Sequence, residues 1–399
     1  MPVIISSMKI LHTGDLHIGM TNYSKLDPET GLESRLLDFF KTFDFIIETA
    51  IKEGIDAFIF AGDAYKTRDP SPTQQRGFGE RVKKIAKAGI PVVMVVGNHD
   101  TPNAEGRANT LDIYSALEID NVWVSRHPEF LSIPTKSGNL QVITAPWLHK
   151  SDFKSLGDKL PAMYAKINPE EPSILAGHLE VEGASFGSEK GLAIVNDVTV
   201  PLSLLTERKL NYVALGHIHK YQELSKNPPV IYAGSPERID FGEEKEEKGF
   251  VLVELSAVSH QLSARFETSY RFIPTPARKF LTIKIMLQSD DENPTDTILK
   301  EIKKHEVKDK IVRVTIDIPA ELNHDISMDQ IKKALADANL VAGISRNVER
   351  KERVKLDGTE EVERLTPIEA LHKYFEVKKY SAEKIKSLEK YAAQLLEDK

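Results

Sequence analysis

The sequence contains no cysteine, and this absence excludes several kinds of chemistry at once. Disulfide bonds, thiolate nucleophiles, cysteine-based zinc sites and iron–sulfur clusters all require a thiol or its thiolate. Any bound metal must therefore be held by histidine, aspartate, glutamate or asparagine side chains. The same absence fits a reducing compartment, in which disulfides are rare.

Long hydrophobic runs are also absent. No stretch approaches the roughly 20 apolar residues that cross a bilayer, and the segment from Met1 to Ser7 lacks the basic start and the apolar core of a secretory signal. We therefore expect a cytoplasmic protein. Glycine and proline, at 22 and 21 residues, are too scarce for a disordered or collagen-like chain.

Positive charge is outnumbered, because 53 lysine and arginine residues face 60 aspartate and glutamate residues and the formal net charge is −7. This balance argues against binding of nucleic acid over the whole surface, but a local basic face or bound metal ions can still hold a polyanion. The composition is otherwise that of a globular protein, with 41% hydrophobic and 28% charged residues. A chain of 399 residues is long enough for two domains and a terminal segment.

Residues 8 to about 255 alternate short apolar strands with amphipathic helices, which predicts an α/β layered domain. The predicted strands cover residues 9–13, 56–61, 91–96, 141–145, 174–176, 212–215, 230–233 and 250–255. A helix that ends at Gly54 is predicted from an apolar stripe of five residues, Leu36, Phe40, Phe43, Ile47 and Ile51. A second helix is predicted over residues 73–88.

After residue 255 the pattern changes to that of a small α+β domain. Pro274 and Pro276 predict a linker. The order strand, helix, strand, helix, strand follows, over residues 281–286, 298–304, 311–316, 331–338 and 341–348. The charged residues 350–363 predict a loop or a frayed helix, and the charged run 243–248 predicts a solvated turn. The domain limits that we expect are 8–273, 277–350 and 364–399.

Two helices are predicted near the C-terminal end. Thr366-Pro367-Ile368-Glu369 combines the spacing of a capping box with proline at the first helical position. The apolar stripe of this helix is Ile368, Leu371 and Phe375, and that of a second helix after Ser381 is Ile385, Leu388, Tyr391 and Leu395. Such a pair either packs on its own domain or binds a partner, and the pattern fits both interpretations.

Five short polar clusters each follow a predicted strand. They are Asp15-Leu16-His17, Gly62-Asp63, Gly97-Asn98-His99-Asp100, Gly177-His178 and Gly216-His217-Ile218-His219. Because the carboxyl ends of strands line the ligand crevice of open α/β proteins, clusters far apart in sequence can converge there. A single dipeptide such as Gly177-His178 is more often an ordinary turn, but five clusters in order favour a shared site.

Aspartate, histidine and asparagine suit divalent ions such as manganese, iron or zinc. The clusters offer too many ligands for one ion. Sharing them gives a first set of Asp15, His17, Asp63 and His219 and a second set of Asp63, Asn98, His178 and His217. Asp63 then bridges two ions that together clamp the oxygens of a phosphoryl displacement, and His99 is left as the proton donor to the leaving oxygen.

The five clusters in this order resemble the calcineurin-like metallophosphoesterases, whose pattern is D-x-H, GD, GNH[DE], GH and GHxH. Three longer segments are similar, within that superfamily, to the SbcD-type DNA repair nucleases: KILHTGDLHIG from residue 9, GSPERIDFGE from residue 234, and Lys248-Gly249-Phe250. The resemblance covers nearly the whole chain. It implies a phosphoesterase core of two sheets flanked by helices, followed by a small α+β capping domain and C-terminal helices.

The resemblance also implies cofactors and partners. Its members usually bind two manganese ions, and the carry-over assigns the two ligand sets given above and His99 as the catalytic histidine. In that family the C-terminal helices bind the coiled-coil root of an ABC-type ATPase, SbcC in bacteria, and homodimers form through helices of the phosphoesterase domain. A nuclease of this type acts on DNA, so we expect a nucleoid-associated protein in the cytoplasm.

Local cations would have to offset the acidic balance at a DNA-binding face. The candidates are Lys66, Arg68 and Arg76 near the second cluster, and Lys303, Lys304, Arg346 and Arg350 in the capping domain. Each of them is equally well an ordinary solvated charge. Lys66 also marks a departure, because archaeal and eukaryotic relatives carry a histidine three residues after the bridging aspartate. The metal ligands are unaffected, but the balance of exonuclease and endonuclease activities does not carry over.

The leading hypothesis is a two-metal-dependent nuclease that acts as exonuclease and endonuclease on double-strand ends, hairpins and single strands. It would serve DNA double-strand break repair with the ATPase partner. The alternative is a stand-alone calcineurin-like phosphoesterase for small nucleotides or phosphoproteins, which has little need for a second domain and two striped helices. A third interpretation is a scaffold with an incidental metal site, but every expected ligand is present.

Overall fold

A computed structural model describes residues 4–102, 106–149, 153–187, 198–260, 263–322, 326–348 and 366–397. The chain forms two compact units. The first contains the chain up to Ile283 together with the segments His305–Arg313 and Leu335–Gly343. The second contains Lys284–Lys304, Val314–Ala334 and the chain from Ile344 onward. The expected domain limits at 8–273, 277–350 and 364–399 remain a prediction.

The described strands and helices follow one another in the order of an α/β chain. The strands are β1 (Ile4–Thr13), β2 (Ala57–Phe60), β3 (Val92–Val95), β4 (Val122–Ser125), β5 (Glu129–Thr135), β6 (Gly138–Ala145), β7 (Ser173–His178), β8 (Glu180–Val181), β9 (Thr199–Val200), β10 (Tyr212–Gly216), β11 (Gln222–Lys226), β12 (Pro229–Tyr232), β13 (Gly249–His260), β14 (Ser263–Pro274), β15 (Phe280–Met286), β16 (Ile311–Ile318) and β17 (Leu340–Val348). The helices are α1 (Ser34–Glu53), α2 (Pro72–Lys87), α3 (Asp112–Ala116), α4 (Phe153–Tyr164), α5 (Pro294–Lys303), α6 (Met328–Ala334), α7 (Pro367–Val377) and α8 (Ala382–Glu397).

Two mixed six-stranded sheets form the body of the first unit. Their orders are β14-β13-β1-β2-β3-β4 and β11-β12-β10-β7-β6-β5. Strands β1 to β4 run parallel in the first sheet, and β6, β7, β10 and β12 run parallel in the second. The remaining strands pair antiparallel at the sides. The carboxyl ends of the parallel strands in each sheet therefore lie at one end of that sheet.

The core explains why the central strands were predictable and the edge strands were not. Apolar residues of both sheets, such as Ile10, Ile59, Ile174 and Ala214, pack together in one buried cluster. Helices α1 and α2 cover the outer face of the first sheet, so its central strands are buried on both faces and are apolar throughout. The eight predicted strands are all present. The edge strands β4, β5, β11 and β14 were missed. Three of them carry many polar residues and are held by backbone pairing, whereas β4 is mostly apolar but only four residues long.

Helix α1 follows the prediction closely. Leu36, Phe40, Phe43 and Ile47 are buried, and Gly54 closes the helix in the left-handed conformation at φ 60°. Ile51 is 41% exposed, so its place in the buried stripe was wrong. In the last turn Ala50 takes the buried position instead.

The third described sheet has three strands in the order β15-β16-β17. Helix α6 ends at Ala334 instead of residue 338, because the chain turns there and the Asp337 carbonyl accepts a hydrogen bond from the Asp309 amide at 3.1 Å. In the second unit α5 and α6 contact each other. The predicted loop over residues 350–363 lies outside the described residues.

The C-terminal helices contact each other, and α7 begins at the predicted capping box. The Thr366 side chain accepts from the Glu369 amide, and the Glu369 carboxylate accepts from the Thr366 amide at 2.7 Å. In α8, Ile385 is buried and Tyr391 is 65% exposed, so the predicted apolar stripe is only partly covered. Among the described helices, none is long and apolar enough to cross a membrane.

Candidate metal centre

All five polar clusters stand at the carboxyl ends of central parallel strands. Asp15 and His17 follow β1, and Asp63 follows β2. Asn98 and His99 follow β3, His178 ends β7, and His217 and His219 follow β10. Each of these strands is flanked by two others in its sheet. The scaffold around the site is therefore rigid, and side chains from both sheets meet at one end of the first unit.

Three groups of side chains bring their ligand atoms within 4.8 Å of one another. They are Asp15 with His17 and His219, Asp15 with Asp63 and His178, and His17 with Asp63 and His99. The predicted ligands therefore converge, and Asp63 occurs in two of the groups. Asp15 occurs in two groups as well, which the predicted division into sets did not anticipate. The assignment of each residue to an ion stays a prediction.

Asp63 lies between the two predicted ligand sets. Its Oδ2 atom is 3.6 Å from His17 Nε2 of the first set and 3.4 Å from His178 Nε2 of the second. Its Oδ1 atom accepts a hydrogen bond from the backbone amide of His99 at 2.8 Å. One oxygen thus faces both sets while the other holds the following loop in place.

Asn98 joins the two histidines of the second set. Its Oδ1 atom is 2.9 Å from His178 Nε2 and 3.2 Å from His217 Nδ1. An amide oxygen is a neutral ligand for a divalent ion and brings no further negative charge. Asn98 is only 4% exposed, so its side chain is available to the interior of the site and hardly to solvent.

Hydrogen bonds fix the orientation of two imidazoles so that each turns its Nε2 atom toward the site. His178 Nδ1 lies 2.7 Å from the Ala61 carbonyl, which can only accept, so this nitrogen carries a proton and Nε2 is the atom that faces the site. His219 Nδ1 lies 2.7 Å from Glu243 Oε1, which leaves its Nε2 as the inward-facing atom. Carboxylate and carbonyl partners of this kind are typical of metal-binding histidines.

The polar atoms of the site fit divalent cations. His219 Nε2 and His17 Nε2 face each other at 3.0 Å, and the other ring nitrogen of His17 is buried with no hydrogen-bond partner among the described residues. Asp15 and Asp63 are 1% and 2% exposed. Two buried carboxylates with no permanent cation beside them are costly unless a positive charge compensates them. A bound cation supplies that charge.

The electrostatics of the protein alone point the same way. Burial alone would raise the pKa of the Asp63 carboxyl, but His178, His99 and His17 outweigh it and hold the pKa well below its usual range. Burial lowers the pKa of the His178 imidazole, yet Asp63 and Asp15 raise it overall. The carboxylates thus draw positive charge into the cluster, and a metal ion can take the place of the proton.

Backbone strain is concentrated at the same place. Asp15, His17, Asp63 and His217 all have positive φ, at 50°, 47°, 55° and 99°, a region that side-chain-bearing residues rarely occupy. The strained loops hold each other, because the Asp15 amide donates to the Gly62 carbonyl at 2.8 Å and the His217 amide donates to Asp15 Oδ1 at 3.0 Å. Such clusters of strain are found at functional sites.

Close packing explains two of the recurring glycines. A Cβ atom on Gly97 would lie 2.1 Å from Asp63 Oδ1, and one on Gly62 would lie 2.3 Å from His178 Nδ1. Both contacts are impossibly short, and Gly62 also has a φ of 96°. A side chain at either position would therefore displace a predicted ligand.

His99 lies at the side of the cluster, and one of its ring nitrogens is hydrogen-bonded to the backbone. Its Nδ1 atom lies 2.8 Å from the Lys66 carbonyl and must carry a proton, so Nε2 is the atom that can exchange one with a ligand. Burial lowers the pKa of His99, whereas Asp63 raises it. The ring centre is 4.8 Å from that of His17.

Two residues near the centre were not predicted to matter. Asp100 is buried and accepts from the amides of Asp63 at 2.8 Å, Ala64 at 3.0 Å and Gly97 at 3.0 Å, so it ties the loops after β2 and β3 together. Its place at the end of the GNHD cluster was the available signal. Glu243, which orients His219, closes the segment GSPERIDFGE that carries the family resemblance, but nothing in that segment indicated a role beside a ligand.

The prediction of a solvated turn over residues 243–248 was wrong for both ends of the run. Glu243 and Lys248 are 0% and 2% exposed, and Lys248 Nζ lies 2.8 Å from Glu243 Oε2. Lys248 Nζ also donates to the His219 carbonyl at 3.2 Å and to Ser235 Oγ at 3.0 Å. The run is therefore the outer support of a predicted ligand, and only its middle is exposed.

The candidate DNA-contact residues differ in exposure and in whether their charged groups are bonded to other residues. Arg68 donates to the Thr101 carbonyl and, at 3.3 Å, to the Asn98 carbonyl, so its guanidinium supports the loop after β3. Lys66 is half-buried, and Arg76 is exposed beside Glu80 at 3.9 Å. In the second unit Lys303, Lys304 and Arg346 are exposed, with Lys304 bonded to Glu301 at 2.6 Å. Arg350 lies outside the described residues.

The calcineurin-like phosphoesterase family profile matches residues 8–221, which is more than half of the chain. The chain therefore belongs to this family of metal-dependent phosphoesterases, and the predicted α/β fold class and hydrolase class are confirmed. The matched range contains every predicted ligand of the centre.

Similar proteins are named more specifically. The DNA double-strand break repair protein Mre11 of Methanosarcina mazei is 24% identical over 335 residues, which cover 82% of this chain and 48% of that protein. The SbcD component of the nuclease SbcCD of Bacillus subtilis is 26% identical over 268 residues, which cover 62% of this chain and 66% of that protein. The chain thus spans about half the length of the first relative and just under two thirds of the second. A solved dimetal phosphatase from Danio rerio aligns with a TM-score of 0.38 at 10% identity, over 66% of this chain and 98% of that one.

Proposed function

We propose that this protein is a two-metal-dependent DNA nuclease that acts as exonuclease and endonuclease in DNA double-strand break repair. Its substrates would be double-strand ends, hairpins and single strands. Two relatives support the proposal by name, one as a double-strand break repair protein and one as a component of a nuclease. The single observation that carries it is Asp63 Oδ2, which faces His17 and His178 of the two predicted ligand sets at 3.6 and 3.4 Å.

The ligands would divide as the sequence predicts, with manganese as the ion. Asp15, His17, Asp63 and His219 would hold the first ion, and Asp63, Asn98, His178 and His217 the second. When bound, two such ions lower the pKa of water and stabilise negative charge on phosphoryl oxygens. The hydrogen bonds of His178 and His219 to Ala61 and Glu243 keep the imidazoles turned inward, so the site needs little reorganisation during the reaction.

His99 would move a proton to the leaving oxygen. Its Nδ1 is committed to the Lys66 carbonyl, so the proton leaves from Nε2 of the charged imidazole. The pKa of His99 is lowered by burial, but the negative charge of a bound phosphodiester favours the protonated form again. General acid catalysis of this kind typically contributes about 100-fold to 10,000-fold.

The C-terminal helices would bind the coiled coil of an SbcC-like ABC-type ATPase. Support comes from the name of the Bacillus relative, which is one component of the SbcCD complex, and from exposed aromatic residues on α7 and α8, Tyr374 at 41% and Tyr391 at 65%. We further propose that the protein forms a homodimer through helices of the phosphoesterase domain. We also propose that residues 277–350 form a capping domain that contacts DNA. Removal of residues 366–399 should abolish capture of the purified ATPase, and unchanged capture would refute this part.

The test is cleavage of linear and hairpin DNA with manganese, with a phosphate bis-ester reporter in parallel and His99→Ala as the control. Cleavage that requires manganese and fails in the variant supports the proposal. Reporter hydrolysis without any DNA cleavage, even after the ATPase and ATP are added, would refute it and favour a phosphoesterase for small substrates.

A further inference from the structure

A cavity of about 250 Å³ opens in the first unit beside the second and third turns of α1. Its wall is formed by α1, by the stretch that precedes β15 and by the loop that precedes β16. Five of its lining residues are basic, namely Lys41, Arg278, Lys279, Lys308 and Lys310, and three are acidic, namely Asp38, Glu306 and Asp309. The chain as a whole has a net charge of −7, whereas the lining of this cavity has an excess of positive charge.

Two of the three acidic groups, Asp38 and Glu306, are already paired with basic groups, so the third, Asp309, is the acidic group that remains beside the other lysines. Asp38 Oδ2 accepts from Arg35 Nη1 at 2.8 Å, and both Asp38 oxygens accept from Arg278 Nε at 3.1 and 3.2 Å. Glu306 faces Lys310 at 3.4 Å. These two carboxylates are therefore neutralised by the wall itself and do not repel an entering anion.

Arg278 contributes a positive charge to the lining in a fixed position. Its Nε and Nη2 atoms bond to Asp38, and its Nη1 atom donates to the Asp309 carbonyl at 2.8 Å. Because all three nitrogens are used, the guanidinium cannot turn to follow a ligand. Its charge is engaged in organising α1 and the loop, so a ligand must be held by other residues.

Three lysines remain for that purpose. Lys41, Lys279 and Lys308 are exposed, and none of their ammonium groups forms an ion pair or hydrogen bond with another described residue. They come from three separate segments and share one cavity. Lysine ammonium groups are compact, strongly hydrated point charges on flexible stems, which suits contact with phosphate oxygens without a fixed bidentate geometry.

The cavity lies toward the end of the first sheet that carries the metal centre. Helix α1 starts after the loop that contains Asp15 and His17, which is the loop at the carboxyl end of β1. Lys41 is seven residues into the helix, about 10 Å along its axis. The three lysines and the metal centre therefore lie toward the same end of the first sheet.

We propose that Lys41, Lys279 and Lys308 form a binding site for the phosphate backbone of the nucleic acid, separate from the metal ligands. The inference rests on the proposed function. It adds a place where the DNA on one side of the cleavage site would bind. The lysines neutralise successive phosphates and release the counterions that had been condensed on them, so binding through this site depends steeply on salt.

The test measures binding of a fluorescent DNA duplex over a range of about 50 to 200 mM salt. The pocket variant combines Lys41→Gln, Lys279→Gln and Lys308→Gln, and binding is measured in the His99→Ala background to prevent cleavage. The slope of log affinity against log salt should become shallower by roughly one for each lysine, about three in all. Affinity at the low-salt end should fall at least about tenfold.

A matched control removes the same number of charges elsewhere. Lys83, Lys84 and Lys87 are exposed on α2, and their triple change to glutamine alters the net charge equally. Both triple variants with His99 intact should hydrolyse the bis-ester reporter at the wild-type rate, which shows that they fold.

The outcomes separate the two proposals. A shallower slope in the pocket variant and not in the control supports the phosphate site. Equal slopes in the two variants overturn the site and leave the nuclease proposal standing, provided that the wild-type protein cleaves DNA. A wild-type protein that hydrolyses the reporter but neither binds nor cleaves DNA overturns both.

Discussion

Two buried polar clusters of the first unit differ in whether they neutralise themselves. In the metal centre, the side chains that group with Asp15 and Asp63 are imidazoles instead of a permanent cation. In the second cluster, Arg35 and Arg278 balance Asp38 and Glu237, with Arg35 Nη1 2.8 Å from Asp38 Oδ2 and Arg35 Nη2 3.4 Å from Glu237 Oε1. The carboxylates of both clusters are almost completely buried. A buried cluster whose carboxylates are neutralised by arginines stabilises the fold. A buried cluster whose carboxylates have no permanent cation can bind a positively charged ligand.

The second cluster also shows what the sequence motif GSPER does. Glu237 Oε2 accepts from Thr42 Oγ1 at 3.1 Å and from the Arg278 amide at 3.0 Å, so it joins α1 to the segment before β15. The Arg35 guanidinium lies over the Phe39 and Phe280 rings at 5.1 and 5.5 Å. The motif therefore supports the phosphoesterase body and contributes no ligand to the predicted sets.

The largest difference between the clusters should appear when manganese is added. Two sites each filled at 100 times their Kd stabilise the fold by about 5 kcal/mol, because each contributes roughly 2.7 kcal/mol. Asp63→Asn should remove most of this gain and reduce hydrolysis to background, since the bridging carboxylate is shared. Metal analysis and urea unfolding with and without manganese test this. One site still full in the variant contradicts the bridge.

Breaking the complete cluster should cost stability without affecting metal. Arg35→Met leaves Glu237 buried without its main cation and should lower the free energy of unfolding by about 3 to 5 kcal/mol. Manganese affinity should not change. Arg76→Met, at the exposed pair with Glu80, is the control and should cost less than about 0.5 kcal/mol. Equal effects of the two variants in urea unfolding would show that the buried network contributes nothing special.

His99→Ala separates proton transfer from metal binding within the incomplete cluster. Hydrolysis of DNA and of the reporter should fall about 100-fold to 10,000-fold, because the proton donor is lost. Manganese content should stay at the wild-type level. A fall in manganese content together with activity would assign His99 to the ligands, as its grouping with His17 and Asp63 allows.

The smallest of these effects is expected from the outer support of His219. Glu243→Gln keeps an oxygen for His219 Nδ1 but removes the charge that pairs with Lys248, so the affinity of the first ion should fall about 10-fold to 100-fold. The second ion should bind as before. Glu247→Gln, at an exposed position of the same run, should change neither affinity. A manganese binding isotherm distinguishes one weakened site from two.

Much of the fold could be predicted because the central strands and α1 carry strong local patterns. Strands buried on both faces are apolar throughout, and α1 repeats its apolar residues at helical spacing up to a glycine that closes it. The edge strand β11, with the sequence QELSK, has no such pattern, and its position depends on backbone pairing with β12. Pairing of this kind leaves little trace in the side chains.

The candidate site was predictable to the same extent and for a similar reason. Chemistry limits the ligands to a few residue types, and each cluster stands directly after an apolar strand, so Asp15, Asp63 and His178 could be named from the sequence. Glu243 and Lys248 could not. Both lie in segments that carry the family resemblance, but the charged run 243–248 indicated a solvated turn, and only the contacts with His219 reveal their role.

The sequence by itself determined the residue types of the centre, the order of the central strands along the chain and the absence of any thiol chemistry. These follow from local patterns and from composition. The tertiary structure decided which oxygen of Asp63 faces both ligand sets, which charges are buried, and which lysines share a cavity. Such relations join residues about 200 or more positions apart, as His17 and His219 are, and no local pattern specifies the distance between their side chains.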